Sequence, residues 1–228
     1  MSKIFAKANL EWLSGDFFKG LSIREVGKSI AVLKVFLALA VESDFKTRVA
    51  KVSYSSLELT TGLSRPLIAY AISNLKNEGL ISITTNERGK TNVYLINDAN
   101  KKGWAKIPYL SITNNLKKLS NRNPTTLGAL KILLVILRHK NNKLDVTSIS
   151  NDKLRDQTHL QNNKLSICRD ILINHELIQL GRVLEENGML IKNPNLYYIV
   201  GISGSKQQKI INADEMRTMY MSMGMTNK

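Results

Sequence analysis

The chain has 228 residues, with 33 Lys and Arg against 18 Asp and Glu, a net charge of +15. That length holds two domains of roughly 80–100 residues, each able to bury a core, and the charge favours a polyanionic partner, nucleic acid or an anionic membrane. The longest apolar run, Ile132 to Leu137, is far below the ~20 residues that span a bilayer, no apolar signal core follows Lys3 and Lys7, and a lone cysteine makes no internal disulfide, so a cytoplasmic protein with no membrane role is expected.

In chain order, residues 29–41 space Ile30, Leu33, Phe36, Leu37 and Ala40 as one apolar helical stripe. Residues 49–53 read as a short strand. Ser55 or Ser56 caps a short helix, SLELTT, with Glu58 in its first turn, and Gly62 ends it. Leu63 is the apolar residue inside the turn. Ser64 caps the next helix, residues 65–78, where Pro66 is tolerated in the first turn. This helix buries Ile68, Ala71, Ile72 and Leu75 and stops at Gly79. LISIT and TNVYLIN then alternate as strands around a turn at 86–90.

Residues 98–123 connect the two domains. They carry six Lys or Arg against one Asp, compared with ten against six in 21–97 and ten against seven in 124–200, so the connector is the most basic segment per residue. Trp104 and Ile107, with little Gly or Ser, mark it as packed. Its KKGWAKIP echoes DFFKGLS, residues 16–22, as an aromatic followed by lysine ahead of each domain. NNLKKLSNR reads as a short helix before Pro124.

Residues 124–200 repeat the first domain. A shift of 97 carries VLKVFLALA onto ALKILLVIL and puts Leu57 on Leu154, Leu63 on Leu160, Leu75 on Leu172, Leu80 on Leu177 and Ile81 on Ile178. A period this long is a domain, not a solenoid unit. LGALKILLVILRHK is the first helix; SNDKLRDQT is the second, capped by Ser150 or Asn151. The third, residues 162–174, buries Leu165, Cys168, Ile171 and Leu172. Gln161 stands where the first copy has the cap Ser64, and Glu176 where it has Gly79, so the second copy is the more diverged. LIQLGRVL and LYYIV are its strands, with a connecting turn about seven residues longer than the first if Tyr94 matches Tyr198. The tail, 201–228, reads either as an amphipathic helix docking by its methionines or as disordered chain.

The order helix, strand, helix, tight turn, helix, strand, turn, strand, with the stretch LSRPLIAYAISNLKNEGLI, resembles the winged helix-turn-helix superfamily over residues 29–97. The expected fold class is therefore α+β, mainly helical, as two tandem winged helix-turn-helix domains: an arm plus the first domain at 1–97, an ordered basic linker at 98–123, the second domain at 124–200, then the tail. Two such domains joined in this way resemble the replication initiators of plasmids and some phages. That resemblance implies sequence-specific binding of double-stranded DNA at repeated origin sites, with a second copy of the chain and host replication proteins as further partners. A transcriptional regulator using the same helices on an operator is the other reading; a protein-binding module fits the net charge poorly.

In a winged helix the amino-terminal half of the third helix enters the major groove. The face of residues 65–78 opposite its apolar stripe carries Arg65, Ala69, Tyr70, Ser73, Asn74 and Asn77, beside the cap Ser64. Arg65 suits guanine, Asn74 adenine, and Tyr70 or Ser73 phosphate, while small Ala69 and Ser73 allow close approach. Arg88 and Lys90 at the wing tip, and Lys117 and Lys118 in the linker, suit the DNA backbone. The second copy offers Gln161, Asn162, Asn163, Lys164, Ser166 and Arg169, beside Asp170 and the isoleucines Ile167 and Ile173, which suit DNA less well, so this helix reads either as a second DNA contact or as a protein interface. Nothing points to catalysis, a cofactor or a metal: His139, His159, His175 and Cys168 lack a ligand spacing, and no phosphate-cradling glycine loop occurs.

Overall fold

The computed structural model describes residues 3–85, 91–97, 103–142, 145–181 and 195–202. In chain order it runs β1 (Phe5–Ala8), α1 (Asp16–Gly20), α2 (Val26–Glu42), β2 (Val49–Lys51), α3 (Tyr54–Thr61), α4 (Arg65–Asn77), β3 (Ile81–Thr85), β4 (Val93–Ile96), β5 (Ala105–Pro108), α5 (Tyr109–Asn115), α6 (Pro124–Arg138), β6 (Val146–Ile149), α7 (Asn151–Thr158), α8 (Leu165–Asn174), β7 (Ile178–Gly181) and β8 (Asn195–Ile199). Short 3-10 turns lie at Glu11–Ser14, Ile23–Glu25, Leu116–Lys118 and Asn162–Lys164. The class is α+β, with helices around small antiparallel sheets. No helix among the described residues is long and apolar enough to cross a membrane.

The two halves share an order of elements and a sheet topology, β2-β4-β3 in one and β6-β8-β7 in the other. The offset of 97 holds down to single hydrogen bonds. Ser53 and Ser150 cap α3 and α7 by accepting from the backbone N–H three residues on, which moves the first cap upstream of Ser55 and Ser56. Thr61 and Thr158 each donate a hydroxyl to the carbonyl four residues back, both at 2.6 Å. Three left-handed backbone positions also recur, Arg48 with Asp145, Gly62 with His159, and Gly79 with Glu176. The strands correct the expected wing length. Tyr94 lies opposite Ala50 and Tyr197 opposite Thr147, so Tyr94 matches Tyr197 and the second turn is six residues longer, not seven. The turns themselves, 86–90 and 182–194, and the tail beyond residue 202 lie outside the described residues.

The stretch expected to act as a linker is built as a counterpart of the amino-terminal arm. Strands β1 and β5 pair antiparallel, with Ala6 opposite Ile107 and Lys7 opposite Lys106. Phe5-Ala6-Lys7 and Trp104-Ala105-Lys106 are equivalent tripeptides, so the Lys7–Lys106 pair maps onto itself, as a two-fold relation between the halves requires. The rings of Phe5 and Trp104 stack across this junction at 6.1 Å. DFFKGLS is therefore matched by NNLKKLS, residues 114–120, and not by KKGWAKIP; α5 and its following 3-10 turn replace the short helix expected from NNLKKLSNR.

Each of these pieces reaches across to the opposite half as well as packing on its own. Asn121 Nδ2 donates to Gly62 O at 2.6 Å and Tyr109 OH to Glu42 Oε1 at 3.4 Å. In return Arg138 pairs with Glu11 at 3.2 Å, and the ammonium of Lys131 lies 5.0 Å from the Phe18 ring centre. The interlock explains why α2 is buried around its whole circumference from Ser29 to Val41, and α6 from Thr126 to Leu137, in place of the expected stripe. The two helices pack on each other as well as on α4 and α8, and one apolar core runs through both halves.

Candidate nucleic-acid interface

Helix α4 buries Ile68, Ala71, Ile72 and Leu75 against α2 and starts with Pro66 in its first turn, where no backbone N–H is needed. Ser64 has the extended backbone of a cap, but its hydroxyl makes no capping bond, so the expected cap is absent. Ser64, Arg65, Ala69, Ser73 and Asn77 are exposed along one face. Lys76 is exposed beside them, a cation the sequence reading passed over although it sits three residues after Ser73. Tyr70 and Asn74 are half-buried, a correction to their place on the outer face. They line a crevice with Phe17 and Lys28, and the Lys28 ammonium sits 5.0 Å from the Tyr70 ring centre.

Arg65 is anchored. Its Nε donates to Glu58 Oε2 at 3.1 Å and Nη2 to Ser55 Oγ at 3.0 Å, both on α3. Guanidinium has five N–H donors in a rigid fork. Two are used to aim the group, and the rest remain for an external acceptor.

Lys117 and Lys118 are exposed on the 3-10 turn beside Gly62. A Cβ on Gly62, whose φ is +67°, would stand 3.3 Å from the Lys117 carbonyl oxygen. The pair therefore flanks the α3–α4 turn of the first half and does not lie midway between the halves, as the linker reading expected. Beneath it Lys34 is fully buried and donates to Thr61 O at 3.0 Å, Leu119 O at 2.7 Å and Asn121 Oδ1 at 2.5 Å. Burial lowers its pKa to about 8, so it stays charged at neutral pH and pins this basic segment to the turn.

The second half presents a different surface. Regular helix begins only at Leu165, with Asn162–Lys164 as a 3-10 turn, and Ile171 is half-buried, not fully buried. Gln161, Asn163, Lys164 and Ser166 are exposed there, and Asn162 holds the position of Arg65 in the repeat. Arg169 is turned inward: its Nη1 donates to Asn151 Oδ1 and to Tyr197 OH, both at 3.2 Å, tying α7 to β8. The position of Ser73 is taken by the exposed acid Asp170 and that of Tyr70 by Ile167, 48% exposed; Ile173 is half-buried. Arg88 and Lys90 lie outside the described residues. Burial pushes the Cys168 thiol up to about 11, which leaves it an unreactive core group. No group of three or more His, Cys, Asp or Glu among the described residues could hold a metal ion.

Comparison of the chain with protein-family models, with curated proteins and with solved structures finds no match.

Proposed function

We propose that the chain binds specific double-stranded DNA through two winged helix-turn-helix units and serves as a plasmid or phage replication initiator on repeated origin sites. The observation that carries the reading is the outer face of α4. There Arg65 is held in position by Glu58 and Ser55, small Ala69 and Ser73 follow it, and Lys117 and Lys118 flank the preceding turn. A helix of this kind enters the major groove by its amino-terminal half. The remaining donors of Arg65 suit O6 and N7 of guanine, and Lys117 and Lys118 suit phosphate. The two-fold relation at the β1–β5 junction favours half-sites in inverted orientation. In the second half Asn163, Lys164 and Ser166 make the contacts, beside Asp170, so that half contributes less.

The test is DNA titration at several salt concentrations, on a selected site and on random sequence. Arg65→Ala should cost about 1–3 kcal/mol on the selected site and little on random DNA. Replacing Lys117 and Lys118 together with alanine should weaken both and reduce the salt slope by about two units. Equal losses on specific and random DNA from both changes would sink the assignment of α4. The replication role has its own test. A plasmid whose only origin is the DNA flanking this gene should be maintained with the intact protein and lost with Arg65→Ala. Failure of maintenance by a protein that still binds the site would leave an operator-binding regulator.

A further inference from the structure

Lys34 and Lys131 occupy the same place in the two copies, 97 residues apart on α2 and α6. Both are buried, at 0% and 5% exposure. Lys34 is satisfied by three oxygens, two of them from Leu119 and Asn121. Alignment of DFFKGLS with NNLKKLS makes Leu21 and Ile23 the counterparts of Leu119 and Asn121. Ile23 has no oxygen to offer in its side chain and points to solvent, 68% exposed. No hydrogen bond joins Lys131 to any acceptor among the described residues; its ammonium lies 5.0 Å from the Phe18 ring centre. Its ammonium is not among the fully enclosed groups lacking a partner, so it keeps a small access.

Lys131 lines a cavity of about 530 Å³. Leu21, Leu127 and Leu160 form apolar wall, and Lys19, Gln161 and Lys164 bring polar groups to it. In the first half the corresponding position beside the turn is taken by Asn121, which bonds both Lys34 and Gly62 O. A buried ammonium without an acceptor is costly, and an anion placed against it would relieve that cost. Leucine walls suit a hydrocarbon body.

We propose that this cavity binds a small organic anion, a carboxylate with an apolar body, which accepts from Lys131 as Asn121 accepts from Lys34. Its hydrocarbon part lies on Leu21, Leu127 and Leu160. The bound molecule joins the amino-terminal arm to the turn between α7 and α8, where Thr158, His159 and Gln161 also line the space. Burial lowers the Lys131 pKa to about 8, so the ammonium is charged at neutral pH. The proposal does not rest on the DNA reading.

Octanoate, and octanol as its uncharged equivalent, are the probes, followed by methyl NMR on the full chain. Octanoate should produce saturable shifts of the Leu21, Leu127 and Leu160 methyls with one site per chain. Lys131→Met should weaken octanoate by at least about tenfold, the weight of one charge-assisted hydrogen bond, and leave octanol unchanged. The proposal is overturned if octanoate gives no saturable shift in the unaltered protein, or if octanol binds it as tightly as octanoate does. Both of those readings are independent of how the variant folds. Equal octanoate affinity in a folded Lys131→Met protein would overturn it as well.

Discussion

At the turn before its third helix the first half has Gly62, Ser64 and Arg65, and the second has His159, Gln161 and Asn162. The backbone takes the same path in both. Gly62 and His159 are left-handed, at φ 67° and 56°, and each N–H donates to the carbonyl four residues back at 2.8 Å. Glycine adopts this conformation freely, whereas other residues are strained in it by about 1–3 kcal/mol. A similar exchange occurs where the first helix of each half ends. Arg48 donates to Ser43 Oγ in one, and Lys140 donates to Asp145 Oδ1 in the other, so donor and acceptor have traded places across the same contact. The backbone course of this repeat is therefore held by its shared core and hydrogen bonds, and the side chains that face outward or into gaps have diverged over it.

The largest expected break in this comparison is at the paired lysines. Lys34→Met leaves three oxygens without their donor and should destabilise the protein by about 2–4 kcal/mol. Lys131→Met removes a buried charge that has no acceptor and should be neutral or stabilising by about 1 kcal/mol. Urea denaturation of the two variants measures both.

The pH dependence tests the burial of Lys131 directly, although burial lowers Lys34 to about 8 as well. Burial lowers the folded pKa of Lys131 to about 8 from its ordinary 10.5. The charged form is therefore penalised in the folded state below pH 8, and that penalty is relieved as pH rises from 8 toward 10.5. Between pH 8 and about 9.5 the relief from one such lysine amounts to about 1–2 kcal/mol. Stability of the unaltered protein should rise across this window, and Lys131→Met should rise by about that much less. A parallel rise in both would show that Lys131 titrates as an ordinary lysine.

A smaller effect tests the turns. Gly62→Ala puts a side chain at φ +67° and 3.3 Å from the Lys117 carbonyl oxygen, and should cost about 1–2 kcal/mol. His159→Gly, at the matching position, should stabilise by about 0.5–1 kcal/mol in thermal unfolding, because the strain there is removed. Destabilisation by His159→Gly would mean that the imidazole makes a contribution of its own.

Much of the local plan was legible in the chain. Leu57, Leu75 and Ile81 are buried in the first half and Leu154, Leu172 and Ile178 at the matching places in the second; Leu63 and Leu177 are buried too, and Leu80, which matches Leu177, is half-buried. Leu160 is half-buried and packs against the same core. Gly62 and Gly79 mark real left-handed positions. The outer face of α4 was only partly legible. Helical periodicity places Tyr70 and Asn74 toward that face, but α1 and the start of α2 come against its edge and half-bury both. Arg169 looked like a DNA contact from its position, yet Tyr197 and Asn151, distant in sequence, draw it inward.

By itself the sequence determined the repeat at an offset of 97, the order of the elements within each repeat and most of their apolar positions, because helix and strand periodicity and glycine turns are local properties. Only the tertiary structure decided that the arm and the supposed linker are equivalent pieces that pair with each other and bridge the two halves. The pairing of Lys7 with Lys106, the burial of α2 and α6 all round, and the unequal surroundings of Lys34 and Lys131 follow from that exchange. The contacts that make them join residues 59 to 127 positions apart, and no periodicity within a segment encodes such contacts.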